Sequence, residues 1–194
     1  MKNQKNHTAI FNGICTGQCG EEPLIPYGSC NLIGINWSKF IKNGKFDYEE
    51  FEKVIRLAVR VADRAIDLNE YPLKEIEETS KYIRQIGIYP LGVHDALIKL
   101  NLGYDTEEGI EFVEKVLEFI DVTAWSESKI LGDKYGEAPV ISDSLTNMSL
   151  VPFGARNTAM TTCAPGGTTS IIGNCSNGIE PIYSYVMNRV GDLS

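Results

Sequence analysis

Three side chains near the start of the sequence have the types and spacing for thiol chemistry: Cys19, Glu21 two residues on, and Cys30 nine residues after that. They sit in TGQCGEEPLIPYGSCN, Thr16 to Asn31, where glycines and prolines rule out a long helix or a flat strand. A thiol acts as a nucleophile or redox centre only where it is exposed and electronically prepared, and a tight Gly/Pro-bounded loop can present one. Glu21 can handle a substrate proton if it points at the same reactant as Cys19. Cys30 can supply a reducing equivalent through disulfide chemistry. The same residues also suit a solvent-facing loop with two incidental thiols and a solvated Glu-Glu pair.

A second stretch has the makings of an anion site. Within RNTAMTTCAPGGTTSIIGNCSNGIEP the pattern predicts a strand over Thr158 to Cys163, a turn at Pro165-Gly166-Gly167, and then the hydroxyl residues Thr168, Thr169 and Ser170. Two glycines let the backbone approach an anion, and hydroxyls can donate beside the amides of a helix start. An ordinary strand-to-helix turn fits the pattern equally, since it is neither a nucleotide P-loop nor G-x-G-x-x-G.

The elements that must position these residues are read from periodicity. FDYEEFEKVIRLAVRVADRAIDLN opens with Asp47 and Glu50 in capping-box spacing and places Phe51, Val54, Ile55, Ala58, Val61, Ala62 and Ala65 on one stripe. DTEEGIEFVEKVLEFIDV repeats the design, with Asp105 and Glu108 as caps and Ile110, Val113, Val116, Leu117 and Ile120 as the stripe. Between them, IRQIGIYPLGVHDALIKLN predicts a strand to Ile88, a turn at Tyr89-Pro90 and a helix from about Gly92 to Leu100. Strands alternating with amphipathic helices indicate an α/β fold.

Composition narrows the function classes. The 194 residues, 43% hydrophobic and 23% charged, suffice for one globular domain or a piece of a larger one. A formal charge of −8 disfavours a nucleic-acid polymer as partner. No apolar run approaches the roughly 18 residues of a membrane span, and MKNQKNHTAIF lacks the apolar region of a secretion signal, so a cytoplasmic protein is expected. The five cysteines are then expected to be mostly reduced. No C-x-x-C pair occurs and only His7 and His94 could complete a zinc site, so no metal is expected. Cys163 and Cys175 read as small buried hydrophobes, Trp37 and Trp125 as packing residues, and His94 as a packed or surface histidine. From Val151 onward the only charged residues are Arg156, Glu180, Arg189 and Asp192, the composition of a segment that is covered or lines a site.

CGEEPLIPYGSCNLIGIN, RLAVRVADRAIDLNEYPLKEIEETSKYIRQIGI and TTCAPGGTTSIIGNCSNGIEPIY together resemble, in order, the catalytic chain of ribonucleotide reductases, in its adenosylcobalamin-dependent branch and near iron-dependent relatives. The resemblance runs from about Thr16 to Arg189, leaving residues 1–15 as an atypical extension and 16–194 as a partial catalytic barrel domain. It implies a partial ten-stranded α/β barrel, contributing the finger loop and much of the second half. Cys19 then resembles the cysteine that becomes a thiyl radical and takes the ribose 3′ hydrogen. Glu21 resembles the acid that accepts the 3′-hydroxyl proton, and Cys30 one of two cysteines that end as a disulfide, its partner lying in the absent first half. Gly166, Gly167, Thr168, Thr169 and Ser170 resemble the substrate-phosphate loop.

The implied cofactor is adenosylcobalamin, or in its place a radical from a separate iron-containing subunit, with an external thiol reductant. The implied partners are a ribonucleotide substrate, the missing N-terminal half of the chain, a thioredoxin-like reductant and a second copy in a homodimer. Three departures stand out: Gly17 where the family has asparagine, Gly166 where threonine is usual, and Tyr89 in place of a common glycine. The 194 residues alone are expected to be inactive, as the product of a split, truncated or interrupted gene. Gly17 also admits a non-catalytic nucleotide-binding relative, and the cysteine pair a plain thiol redox protein.

Overall fold

Two strands set the frame. In the computed structural model, which describes residues 15–143, 151–184 and 186, β3 (Asn31–Asn36) pairs in parallel with β6 (Ile86–Leu91), in register from Asn31 opposite Ile86 to Asn36 opposite Leu91. The crossover between them carries α1 (Tyr48–Leu68) and α2 (Lys74–Ile83). Before β3 lie the short strands β1 (Cys15–Thr16) and β2 (Pro23–Leu24), and after it β4 (Ile41–Lys42) and β5 (Lys45–Phe46). After β6 come α3 (Val93–Leu100), α4 (Glu107–Tyr135), α5 (Pro139–Asp143) and α6 (Gly167–Gly173). The α/β expectation holds. Most of the expected N-terminal extension, together with Arg189 and Asp192, lies outside the described residues.

The expected turn at Tyr89-Pro90 does not form; β6 runs through both residues to Leu91, and all six of its residues are buried. Hydrogen-bond direction explains the tolerance. Ile86 N and Ile88 N donate to Ala159 O and Met160 O, and Thr162 N donates to Ile88 O, so even-numbered residues of β6 bond the 159–162 segment. The absent N–H of Pro90 falls on that side, beyond Thr162, and costs β3 no ladder bond. The strand expected over Thr158 to Cys163 does not form as a strand; the segment runs beside β6 and closes one isolated parallel bridge, Ile88 to Thr161.

Helix α1 starts as its sequence demands, with Asp47 Oδ1 accepting from Glu50 N at 3.0 Å. Its buried arc is Phe51, Ile55, Ala58, Val59, Ala62, Asp63 and Ile66, so Val61 is exposed where the stripe placed it inside. The arc is turned because α1 packs against both the sheet and α4. Helix α4 is capped by Thr106, whose side chain accepts from Gly109 N, and not by Asp105; Ile110 is exposed, while Val116 and Ile120 are buried.

Phe40, Phe46 and Phe51 meet edge-on or tilted under the sheet, with Phe51 centroids 4.8 and 4.9 Å from the other two. Such contacts add to the apolar area they bury. Two buried ionic knots tie the layers. Arg84 donates to Asp63 and Asp67, each at 2.8 Å, and Asn157 Nδ2 donates to Asp63 Oδ1 at 3.0 Å. Glu127 on α4 accepts from Arg56 and Arg60 of α1 at 3.1 and 2.6 Å. No helix among the described residues is long and apolar enough to cross a membrane.

Candidate active site

Cys19 stands at the tip of a hairpin. β1 and β2 pair antiparallel, Cys15 opposite Leu24 and Thr16 opposite Pro23, and Gly17 N extends the ladder to Glu22 O at 2.7 Å. Gly20 N donates to Gly17 O at 3.0 Å, and Gly20 has φ 75°, the left-handed backbone that glycine adopts without strain. The turn leaves the Cys19 side chain exposed.

Glu21 folds back onto this turn, its Oε2 accepting from Cys19 N at 2.8 Å. A Cβ at Gly17 would stand 2.4 Å from Glu21 Oε1. The carboxylate thus occupies the space that an asparagine at position 17 would need. That is the structural meaning of the first departure.

The base of the hairpin is pinned by distant residues. Gln85 Nε2 donates to the Glu22 carboxylate and to Pro23 O, the latter at 3.0 Å. The Thr162 hydroxyl donates to Glu21 O and also bonds the Glu22 side chain. Burial raises the Glu22 carboxyl to about 7, against the lowering effect of its bonds to Gln85 and Thr162, with the charge of Glu21 adding to the rise.

Cys19, Glu21, Glu22, Thr162 and Cys163 open on one cleft of about 680 Å³, with Ile88, Pro90 and Trp125 as apolar wall and Glu118 and Asp121 on the α4 side. No lysine, arginine or histidine is among the described residues that line it. Cys163 is exposed here, not a buried hydrophobe as expected. Cys175 does pack, against Tyr89, Leu91 and Ala164. Trp37 is fully buried, and Trp125 packs on the core. His94 is a packing residue too: its Nδ1 accepts from Ile182 N at 2.7 Å.

Cys30 lies outside the cleft wall, half-buried at the entry to β3, with its Sγ 3.3 Å from where a Cβ on Gly87 would stand. Leu32 Cδ2 and Thr162 Cγ2 would be 2.6 and 2.8 Å from the same point, so both side chains pack around the space above Gly87 beside Cys30. Burial, then the charges of Glu22 and Glu21, push the Cys30 thiol up and keep it protonated. Burial also raises Cys163.

The glycine-rich turn sits farther along the same strand face. Residues 87, 89 and 91 of β6 share one face. Tyr89 OH lies 3.0 Å from Thr169 Oγ1, and the Leu91 side chain covers Gly166. Gly166 caps α6; its N donates to Asn177 Oδ1 at 2.6 Å and its O accepts from Ser170 N at 2.6 Å. Ser170 Oγ donates to Gly167 O. Gly166 and Ser170 are thus internal, while Gly167, Thr168 and Thr169 are exposed.

Two departures gain a physical account. A Cβ at Gly166 would stand 2.2 Å from Leu91 Cδ2, which excludes threonine unless Leu91 moves. Tyr89 is accommodated because its register partner is Gly34, whose missing side chain leaves space for the ring.

Sequence reasoning missed Glu22, Gln85, Thr162 and Cys163. Their association joins positions 63 and 141 residues apart, and no local spacing signals that.

Comparison with known proteins adds three findings. The family model described as ribonucleotide reductase, barrel domain, matches residues 2–151 and 143–192. A vitamin B12-dependent ribonucleoside-diphosphate reductase of Thermoplasma acidophilum is 38% identical over 189 residues, 96% of this chain and 24% of the relative. One of Mycobacterium tuberculosis is 35% identical over 174 residues, 90% of this chain and 25% of the relative, and a ribonucleoside-diphosphate reductase subunit alpha of Chlamydia pneumoniae is 29% identical over 226 residues, 96% and 21%. The chain spans about a quarter of the length of these curated relatives.

Proposed function

Since this chain belongs to the ribonucleotide reductase family, whose barrel-domain model it matches almost throughout, we propose that it is the finger loop and part of the second half of a ten-stranded catalytic barrel that reduces ribonucleotides to 2′-deoxyribonucleotides. The row of residues along β6 carries the proposal. Cys30 lies by Gly87, Thr169 by Tyr89 and Gly166 by Leu91, over about 13 Å of strand. A nucleotide laid along this row has its ribose near Cys30 and its phosphates at the glycine-rich turn.

Electrostatics orient it the same way. The cleft beside Cys19, walled by Ile88 and Pro90 from the other face of β6, holds four carboxyl groups and no cationic side chain among its described residues, which repels phosphate from the hairpin end. At the other end the first N–H groups of α6, Gly167 to Thr169, have no acceptor within the helix and can meet phosphate oxygens with the Thr168 and Thr169 hydroxyls. Gly166 and Ser170 shape that turn from inside.

In this reading the thiyl form of Cys19 takes the 3′ hydrogen and Glu21, released from the Cys19 amide, takes the 3′-hydroxyl proton. The 2′ oxygen leaves as water, and Cys30 with a cysteine outside this chain supplies two hydrogens and ends as a disulfide. Adenosylcobalamin, suggested by the names of two relatives, supplies the initial radical when bound; an iron-containing subunit is the alternative source. The exposed Cys19 side chain fits a radical generator that reaches it from outside these residues. The relatives' names favour a ribonucleoside diphosphate as substrate. A thioredoxin-like dithiol, a homodimeric assembly and a cytoplasmic setting belong to the same reading.

The rest of a larger body also accounts for the exposed apolar side chains. Leu57, Val61 and Leu68 line the outside of α1, and Phe153, Ile172 and Tyr183 are 81–89% exposed. Such surface is normally covered.

The test is nucleotide reduction by the full-length protein containing this segment, assayed with ribonucleoside diphosphates, a dithiol, and either radical source. Deoxynucleotide formation that is abolished by Cys19→Ala is expected, with none from the 194 residues alone. A full-length protein that makes no deoxynucleotide with either source would overturn the reading.

A further inference from the structure

In the proposed reaction the Glu21 side chain must leave the Cys19 amide for a substrate hydroxyl, while its main chain stays where the substrate can be met. The tie at that main chain is Thr162, whose hydroxyl donates to Glu21 O and whose oxygen also bonds the Glu22 side chain. Thr162 is buried, and its own N donates to Ile88 O at 3.1 Å. One residue therefore anchors the acid to β6.

The other arm of the same side chain reaches toward the reducing thiol. Thr162 Cγ2 lies 2.8 Å and Cys30 Sγ 3.3 Å from the point where a Cβ on Gly87 would stand. Thr162 also lines the cleft with Cys19 and Glu21. Glu21 and Cys30 act on one sugar in the proposed reaction, so their relative placement matters. A misplacement of about 1 Å between acting groups costs on the order of 100-fold in rate. The ties from Gln85 fall on Glu22 and Pro23 instead, and leave the Glu21 carbonyl to Thr162.

We propose that Thr162 is a positioning residue for the reduction: its hydroxyl holds the Glu21 main chain against β6, beside Cys30, while the Glu21 side chain turns from the Cys19 amide to the substrate. The inference deepens the reductase reading and rests on it for the task of Glu21. Thr162 exchanges no proton or electron with the substrate; it acts through the carbonyl it holds. Valine in its place keeps the branched shape beside Gly87 and removes the donor, which leaves Glu21 O without this bond.

The test uses the full-length protein containing this segment, with ribonucleoside diphosphates, a dithiol and either radical source. In Thr162→Val, kcat should fall by about 10- to 100-fold while KM changes by less than about twofold. Thr162→Ser, which keeps the hydroxyl, should bring kcat back to within about threefold of the native value. Should the valine variant fail to fold, Thr162→Ser against Thr162→Ala decides, because these two differ by the hydroxyl alone. A merely structural Thr162 would lower the melting temperature and leave kcat of the folded enzyme unchanged. A second measurement needs no nucleotide: hydrogen exchange at the Cys19 amide, which donates to the Glu21 carboxylate, should be faster in the valine and alanine variants and native-like in serine. An active enzyme whose kcat ignores the hydroxyl would overturn the positioning role and leave the reductase reading standing. A native protein that makes no deoxynucleotide but shows the exchange response would count against the reductase reading alone, and one that shows neither would overturn both.

Discussion

The hairpin that carries Cys19 and the helical layer behind the sheet are held by different forces. In the layer, α1 and α4 close over Phe51, Ile55, Val116 and Ile120, and each buried charge meets a counter-charge, Arg84 with Asp63 and Asp67, Glu127 with Arg56 and Arg60. In the hairpin, Cys19 and Glu21 are held by backbone turns and a few polar ties reaching in from Gln85 and Thr162, and the one buried charge, on Glu22, has no counter-ion. The layer is built to stay put. The hairpin, with fewer ties, leaves Cys19 and Glu21 freer to rearrange than the groups of the layer.

The sharpest way to break this comparison is to remove one ion from the layer. Arg84→Met leaves buried Asp63 and half-buried Asp67 with only the longer Arg156 contacts at 3.6 and 3.8 Å, and a loss of about 3 kcal/mol is expected in urea unfolding. Cys19→Ala in the hairpin should change the same measurement by no more than about 0.5 kcal/mol. Equal losses would mean that the hairpin is as much a part of the cooperative core as α1.

Acid and base should separate the two regions next. Partial burial pushes the Asp67 carboxyl up, but the Arg84 guanidinium outweighs it and holds the group below the usual range. Its stabilising contribution is thus present above that range and lost on acidification through the lowered value. Glu22 acts with the opposite sign. Its value in the folded chain, about 7, lies above the unfolded 4.5, so stability is fullest below about 4.5 and falls as pH rises through 7, by about 3 kcal/mol. Unfolding free energies measured at pH 5 and pH 8 should show that fall, and Glu22→Gln should flatten it. A native chain equally stable at both pH values would remove the contrast.

How much of this was legible in the sequence follows the same division. Helix α1 and its Asp47 cap could be read because capping and apolar period are local signals. The exact buried arc could not, since it depends on where the sheet and α4 lie, and Asp63 reads as a surface residue until Arg84 and Asn157 arrive from elsewhere in the chain. Pro90 read as a turn because its missing N–H is harmful in most strands; which side that N–H would face is a fact of sheet order. At the site, Cys19, Glu21 and Cys30 stood out by residue type and by resemblance. Glu22, beside them in the sequence, did not, because only folding brings Gln85 and Thr162 to it.

The glycine-rich turn offers a smaller test, at a point where site and scaffold meet. Gly166→Thr forces a side chain against Leu91, and a loss of about 1–3 kcal/mol is expected from overpacking. Combined with Leu91→Ala, which opens the space, the double variant should lose less than the two single losses added together, since the residues touch. Strict additivity in thermal or urea unfolding would mean that the turn relaxes away from the strand and is not shaped by it.

The smallest expected effect on stability falls at Gly17 and is the most informative about the hairpin. Gly17→Asn should alter unfolding by no more than about 0.5 kcal/mol, because the turn is largely exposed. It should nevertheless expel the Glu21 carboxylate, whose Oε1 stands 2.4 Å from the new Cβ position. The Cys19 amide then loses its acceptor. Hydrogen exchange at that amide should therefore be faster in Gly17→Asn, and faster again by a similar factor in Glu21→Ala, which removes the acceptor outright. If the amide of the asparagine variant remained as protected as in the native chain, the carboxylate would be held by something other than the space that glycine leaves. The resting position of Glu21 would then owe nothing to the departure at position 17.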